Sequence, residues 1–385
     1  MSSARHGSSA GRTGVARLAR LGLLLAVMGT PMGCLLGQNG SPGVGQGDPW
    51  VRPARAGDPL IWGRRDGLVF GLASPGGIKG PRGLIRIGVY TSGEVQPQLI
   101  NFIAVEPVVA GPGRRFDRMA FSELEQSQLD PGQQGKRMSV HADVAGTSGS
   151  FETIRTGKAV VERLRVRIDV ERFTVNGAHV YVVATMDSDH PGELQLTPHA
   201  ELDSPPIEEL TTTATMGNYE RLRLLWLNGR AIYSKELFAG FGGAAFVEAP
   251  GYPLADMLRT EDGDAVVFCT SDETSPAGSP ANATAHWVYP LAKYTQYWRV
   301  AGSKVQPDLR VHINGRRVYW ASTEPLPGGV AFENFELRQR FVDGQSFIFG
   351  LTQADPWNVY HGSQKVQAPP QWLNQAPGAT QGSTE

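Results

Sequence analysis

The chain has 385 residues, with 36 lysines and arginines against 37 aspartates and glutamates, a formal net charge of −1. This balance leaves no basic surplus for binding nucleic acid, and a hydrophobic content of 41% excludes a polytopic membrane protein. The 47 glycines and 27 prolines favour many turns over long helices.

The N-terminal region has the layout of a secretory signal. The first twenty positions contain four arginines and no acidic residue, an apolar run follows over 21–28, and small residues continue to position 33. A run of this length is too short to span a bilayer. We therefore predict a bacterial-type signal peptide over residues 1–33 and an exported protein.

The end of this signal has two interpretations. Gly33-Cys34 resembles the end of a lipoprotein signal, in which the cysteine is lipidated, whereas Pro31 stands where such signals carry an aliphatic residue. Cys269, the other cysteine, lies in an apolar run typical of a buried strand. We favour lipidation of Cys34, with the protein anchored to the membrane and facing the periplasm or cell surface. The alternative is a secreted or periplasmic protein without an anchor.

The remaining sequence divides into a linker, a folded region and a tail. Residues 34–58 are rich in glycine and proline and predict a flexible linker. Residues 361–385 are rich in glutamine, proline, glycine and serine and predict a disordered tail. Between them we predict two β-rich halves, 59–200 and 201–360, divided near the proline-containing segment 197–206.

The folded region has the pattern of an all-β protein. Residues 164–170 alternate apolar and charged side chains, which is typical of a strand with one buried face. Six Asn-Gly or Asp-Gly pairs between strand-like runs predict type I′ hairpin turns with positive φ at both central residues. We therefore predict a large antiparallel β-sandwich, either one extended sandwich or two sandwich halves, with one short helix at 118–129. The six pairs are Asp66-Gly67, Asn176-Gly177, Asn228-Gly229, Asp262-Gly263, Asn314-Gly315 and Asp343-Gly344.

Two polar segments offer candidate binding residues. Asp187 and Asp189 supply hard oxygen ligands in a loop that could hold calcium, and the alternative is a plain polar turn; no other cofactor is predicted. Tyr219, Arg221 and Arg223 alternate as on one strand face, where the arginines could clamp a carboxylate such as that of a uronic acid. The alternative for this row is a solvated face with acidic cross-strand partners.

An aromatic cluster at 286–298 has a composition that suits glycan recognition, because sugars stack their apolar C–H faces on aromatic rings. Trp287, Tyr297 and Trp298 are its candidate ligand-binding residues. Alternation places Tyr297 and Trp298 on opposite faces of one strand, so only part of the cluster can line a single groove. The alternative is that these rings pack in the core.

The segment 325–350 contains the candidate catalytic residue. After a glycine turn it predicts a strand, and alternation places Glu333 on one face with three apolar residues. Burial there would disfavour the charged carboxylate and raise its pKa, which suits a general acid or base. The alternative is a structural carboxylate at the start of the strand. On the opposite face, Asn334 is a candidate ligand-binding residue and Glu336 is expected to form a surface ion pair with neighbouring arginines.

Three segments carry a resemblance to other proteins. The sequences TMGNY at 215–219, TQYWR at 295–299 and GGVAFENFE at 328–336 resemble segments of uncharacterised exported β-rich proteins of planctomycete-type bacteria. The resemblance covers roughly residues 60–352 and implies no activity and no catalytic residue. In outline, a long exported sandwich is also similar to the sandwich domains of polysaccharide-active enzymes, which is a likeness of fold alone.

These features lead to one functional hypothesis with two alternatives. We expect an exported, membrane-anchored β-sandwich protein that engages polysaccharide or cell-envelope glycan, with no nucleic-acid partner and with membrane contact through the lipid anchor only. Binding is favoured over catalysis, because only one carboxylate is placed for acid–base chemistry and glycosidases generally use two. The alternatives are a structural cell-envelope protein with no small ligand and a polysaccharide lyase or glycoside hydrolase.

Overall fold

The computed structural model describes residues 48–74, 76–77, 81–90, 94–109, 138–140, 149–174, 176–243, 246–249, 251–272, 294–319, 323–353 and 356. These residues form two large antiparallel sheets, which confirms the predicted all-β sandwich. The predicted signal peptide, Cys34, the helix at 118–129 and the tail at 361–385 lie outside the described residues. The helices in the described part of the chain include none with the length and apolar character of a membrane span.

The strands follow one another along the whole described chain. In chain order they are β1 (Trp50–Val51), β2 (Ile61–Arg64), β3 (Val69–Gly71), β4 (Ile85–Val89), β5 (Gln98–Val109), β6 (Met138–Val140), β7 (Ser150–Thr156), β8 (Ala159–Val170), β9 (Val180–Asp187), β10 (Glu193–Ala200), β11 (Ile207–Thr215), β12 (Leu222–Leu227), β13 (Arg230–Tyr233), β14 (Val247–Glu248), β15 (Tyr252–Pro253), β16 (Leu258–Arg259), β17 (Ala265–Ser271), β18 (Thr295–Val300), β19 (Arg310–Arg316), β20 (Ala331–Arg340) and β21 (Phe347–Thr352). A one-turn helix, α1 (Ser234–Leu237), follows β13.

The strands divide between a ten-stranded and an eleven-stranded sheet. The first sheet has the order β1-β2-β3-β4-β5-β11-β20-β19-β14, with β15 also paired to β19. The second has the order β13-β12-β17-β18-β21-β10-β9-β8-β6, with β16 paired to β17 and β7 paired to β8. Each sheet therefore contains strands from both sides of residue 200, as in the pairs β5–β11 and β10–β21. The described chain forms one sandwich, and the segment 197–206 leads from one sheet to the other.

The folded region begins earlier than the sequence predicts. Trp50 lies in the predicted linker, yet it pairs in β1, is 5% exposed and donates its indole N–H to Glu162 Oε2 at 2.9 Å. Glu162 is part of β8 in the other sheet. The glycine- and proline-rich composition around Trp50 obscured a strand that is only two residues long, because so short an element has no periodicity to detect.

The core lies between the two sheets and is closed by side chains from their facing sides. The fully buried Trp298 donates its indole N–H to the carbonyl of Phe335, at 2.9 Å, and Asn101 Nδ2 donates to Gln296 Oε1 at 2.7 Å. Each bond joins a strand of one sheet to a strand of the other. Cys269 is a free, buried thiol, as predicted, and burial raises its pKa well above the usual value.

Four of the six predicted turns join strands that pair with each other, namely β2–β3, β8–β9, β12–β13 and β16–β17. The other two differ: Asn314-Gly315 lies inside β19 at a bulge, and Asp343-Gly344 connects strands of different sheets. The expected type I′ geometry is wrong, because Met216 and Arg221 are the only described non-glycine residues with positive φ. Where φ is positive in these turns, the glycine alone adopts it.

One close backbone contact joins the sheets at the β2–β3 turn. Leu68 N–H donates to the carbonyl of Pro191, at 2.8 Å, in the turn between β9 and β10. A Cβ atom on Gly67 would lie 2.0 Å from the same Pro191 oxygen. Gly67 is therefore needed for close approach between the two turns, since any side chain there would push them apart.

We expect Gly67→Ala to lower the free energy of unfolding by about 1–3 kcal/mol, the range for a side chain forced into an occupied space. Urea denaturation followed by tryptophan fluorescence measures this loss. Gly242→Ala is the matched control, because a Cβ atom there would have its nearest neighbour, Arg317 Nη1, at 3.8 Å. Equal stability of the two variants would show that the turns can separate without cost.

Candidate functional site

A pocket of about 590 Å³ lies where strand ends of both sheets come together. Its volume is within the range of small-molecule sites in proteins. The first sheet contributes the β2–β3 turn and the end of β4; the second contributes the β9–β10 turn, the start of β18 and the end of β21. The lining residues are Arg65, Asp66, Gly67, Val89, Tyr90, His190, Pro191, Gly192, Glu193, Tyr294, Tyr297, Leu351, Thr352 and Gln353.

Backbone contacts hold the turns that form this pocket. The bond from Leu68 to Pro191 fixes the β2–β3 turn against the β9–β10 turn, and Leu351 N–H donates to the carbonyl of Gly192 at 2.9 Å. The second bond attaches the same β9–β10 turn to the end of β21. Because these partners are main-chain atoms, the pocket walls are set by the fold and not by flexible side chains.

Tyr297 and Glu193 are part of the pocket wall supplied by the second sheet. The ring of Tyr297 lies across Gly350, where a Cβ atom would be 1.8 Å from Tyr297 Cζ. Its hydroxyl donates to Glu193 Oε1 at 2.9 Å, and Arg299 donates to both oxygens of that carboxylate, at 3.2 and 2.5 Å. Arg299 also donates to Asp264 Oδ2 at 2.8 Å. Glu193 is therefore a fixed hydrogen-bond acceptor in the pocket wall.

The three tyrosines of the pocket keep their protons at neutral pH. Burial raises the pKa of Tyr297 well above its usual range, and the charge of Glu193 adds to the shift. Burial also raises the pKa of Tyr294, opposed by the hydrogen bond from Gln353 Nε2 (3.3 Å) and assisted by the Glu220 carboxylate. Burial raises the pKa of Tyr90, although the nearby Arg65 opposes it. The hydroxyls of Tyr90 and Tyr294 can therefore act as hydrogen-bond donors, whereas that of Tyr297 already donates to Glu193.

The predicted row of Tyr219, Arg221 and Arg223 does not lie on one strand face. Strand β12 begins only at Leu222, and the preceding residues form a tight turn in which Arg221 has a φ of 51°. Arg221 is buried beside Glu220, whose pKa is raised well above its usual value by burial and lowered in part by the arginine. The turn takes the two side chains into the interior instead of onto a solvent-facing row.

Arg223 is a structural clamp in this arrangement. Its fully buried guanidinium donates to Asp272 Oδ1 at 2.7 Å and to the carbonyls of Val330, Gly329 and Pro327. Asp272 also accepts bonds from Tyr233 Oη at 2.7 Å and Lys235 Nζ at 2.8 Å. Burial raises the pKa of Asp272, but the bonds from Lys235, Tyr233 and Arg223 outweigh it and hold that pKa far below its usual range. Arg223 thus holds the loop before β20 in place.

The candidate residues of β20 lie away from the pocket lining. Glu333 is fully buried on the same side of the strand as Phe335 and Leu337, both of which belong to the core. Asn334, on the other side, accepts a bond from Thr215 Oγ1 at 2.8 Å. Glu336 pairs with Arg338 at 2.7 Å as expected, but the carboxylate is buried, so the prediction of a surface pair is wrong.

The acidic residues of the 187–190 turn have other partners. Both oxygens of Asp187 accept hydrogen bonds from Arg163, at 2.6 and 2.7 Å, and Asp189 lies 3.1 Å from His190 Nδ1. In the part of the chain that the structure describes, no three His, Cys, Asp or Glu side chains gather in a way that could hold a metal ion. Calcium at Asp187 and Asp189 stays a prediction.

The structure thus brings one of the predicted ligand-binding residues, Tyr297, into the pocket. Trp298 is in the core, on the opposite face of β18 as predicted, and Trp287 lies outside the described residues. Sequence reasoning missed Tyr90, Glu193 and Arg65 as pocket residues. No local sequence pattern identifies these residues as neighbours, because they belong to turns and strand ends of different sheets.

Comparison with known proteins found no match to a protein-family model and none to a curated protein.

We expect Glu333→Gln to lower the free energy of unfolding by about 1–3 kcal/mol, because a buried ionisable group is exchanged for one with different hydrogen bonding. Any ligand affinity measured at the pocket should stay within about twofold of the wild type, since Glu333 does not line it. Glu208→Gln, an exposed position on the neighbouring strand β11, is the matched control. Unchanged stability together with loss of turnover on a saccharide would instead make Glu333 catalytic.

Proposed function

We propose that this protein binds polysaccharide and holds one or two sugar units in the tyrosine-lined pocket. The observation that carries the proposal is the combination of Tyr90, Tyr294 and Tyr297 with the fixed carboxylate of Glu193. A sugar ring presents apolar C–H faces and a rim of hydroxyls. Aromatic rings match the faces, while the protonated phenols of Tyr90 and Tyr294 and the anchored carboxylate of Glu193 match hydroxyls as donors and acceptor.

The same groups favour binding over catalysis. A tyrosine acting as the base of a lyase needs a lowered pKa, whereas burial raises the pKa of all three pocket tyrosines. Glycosidases use two carboxyl groups, one of which must be protonated to act as the acid. The lining carboxylates are each held by an arginine, Asp66 by Arg64 and Glu193 by Arg299. The hydrogen bonds from Arg64 lower the pKa of Asp66, so this carboxylate suits a permanent acceptor better than a general acid, and Glu193 has both of its oxygens bonded to Arg299.

We further propose that the protein is exported and anchored to the membrane by a lipid on Cys34. The support is the sequence alone: an arginine-rich start, a short apolar run and Gly33-Cys34 at its end. An anchored β-sandwich with a sugar pocket would hold polysaccharide at the cell surface or in the periplasm.

Expression in a bacterial host with globomycin should block maturation and leave a precursor of higher mass. Unchanged processing would contradict the lipid anchor while leaving export possible.

We expect Tyr90→Ala to weaken binding of a retained polysaccharide by about 2- to 12-fold, as for the loss of one aromatic contact of about 0.5–1.5 kcal/mol. Affinity gel electrophoresis on a panel of neutral and acidic polysaccharides selects the ligand, and titration calorimetry with its oligosaccharides gives the affinity. Tyr252→Ala is the matched control, because Tyr252 is a partly buried tyrosine beneath Arg230, outside the pocket lining.

Melting temperatures of both tyrosine variants separate lost affinity from lost folding. If no polysaccharide retards the wild type, the protein is better described as a structural cell-envelope protein with no small ligand. Equal weakening by Tyr90→Ala and Tyr252→Ala would place the binding site elsewhere on the molecule.

A further inference from the structure

We propose that the sugar recognised by this pocket carries a negative charge and that Arg65 binds it. This inference rests on the proposed function, since it names the class of saccharide that the same pocket would take. The evidence is the position and pairing of the charged side chains that line the pocket.

Arg64 and Arg65 are neighbours with different partners. Arg64 is buried and donates to both oxygens of Asp66, at 2.9 and 2.7 Å. Arg65 is half-buried in the pocket wall, with its guanidinium 4.5 Å from the centre of the Tyr90 ring. Among the described residues, no carboxylate lies within ion-pair distance of Arg65. The local acid, Asp66, is already engaged by the preceding arginine.

The lining carboxylates already have ion-pair partners within the protein. Asp66 pairs with Arg64, and Glu193 pairs with Arg299, which also pairs with Asp264. Arg65 is therefore the lining guanidinium whose charge no described carboxylate offsets. An anionic ligand in the pocket would bind beside it. Partial burial against the Tyr90 ring lowers the local dielectric and strengthens attraction to such a ligand.

The distribution of charge across the pocket also orients the ligand. Arg65 and Tyr90 belong to the wall from the first sheet, and Glu193 and Tyr297 belong to the wall from the second. Glu193 repels an anion but accepts hydrogen bonds from hydroxyl groups. The anionic group of the sugar should thus lie at the β2–β3 turn, and its hydroxyls should face β18. A uronic acid carboxylate and a sugar sulfate both present two oxygens to the planar guanidinium.

The test uses the full chain and two matched pairs of probes that differ only in charge. One pair is an oligogalacturonate and its methyl ester; the other is a sulfated carrageenan oligosaccharide and its desulfated form. We expect the wild type to bind the charged member of one pair more tightly than its neutral counterpart. Arg65→Gln should lower the affinity for that charged member by about tenfold or more and leave the affinity for the neutral counterpart unchanged. Which pair shows the effect distinguishes carboxylate from sulfate recognition.

Arg52→Gln is the matched control, since Arg52 also lies over an aromatic ring, 4.4 Å from the centre of Phe151, but is exposed and outside the pocket lining. It should leave all affinities unchanged. Equal wild-type affinity for charged and neutral members, or equal weakening of both by Arg65→Gln, would overturn the role of Arg65 while polysaccharide binding stands. Absence of wild-type binding to every probe and to the wider polysaccharide panel would overturn both proposals.

Discussion

The pocket depends on one backbone contact between the two sheets, the hydrogen bond from Leu68 to Pro191. It exists because Gly67 has no side chain, so the β2–β3 turn can lie directly on the β9–β10 turn. The β9–β10 turn is also joined to β21, by the hydrogen bond from Leu351 N–H to the carbonyl of Gly192. These main-chain contacts therefore set the distance between the two pocket walls and, with it, the positions of the lining side chains.

Charge pairs then fix the polar groups on these walls. Arg299 holds Glu193 and Asp264 together, and Arg64 holds Asp66, so the carboxylates of the pocket point in defined directions before any ligand arrives. Ion pairs of this kind cost desolvation energy and contribute little net stability. Their consequence here is geometric, because a pre-organised acceptor loses less conformational entropy when it binds a hydroxyl. Arg65 has no such carboxylate partner among the described residues, and its charge would therefore be available to the anionic sugar that we propose.

The sequence predicted the strands better than it predicted their surroundings. Alternation at 164–170 identifies β8, because a period of two follows from strand geometry alone. The same alternation misled at Tyr219, Arg221 and Arg223, where three residues are too few to separate a strand from a turn. The positive φ of Arg221 is rare outside glycine and leaves no mark in the sequence. Glu333 was expected among apolar residues and is found there, but on the core side of its strand and not in the pocket lining.

The sequence by itself determined that this protein is an antiparallel β-sandwich with glycine turns, a buried Cys269 and opposite faces for Tyr297 and Trp298. These are local properties, which follow from side-chain alternation and from the conformations open to glycine. Only the tertiary structure decided that strands from both halves of the chain share each sheet, and that Tyr90, Glu193 and Tyr297 meet in one pocket. Their proximity comes from pairings between distant strands, and such pairings depend on the packing of the whole core, which no short stretch of sequence encodes.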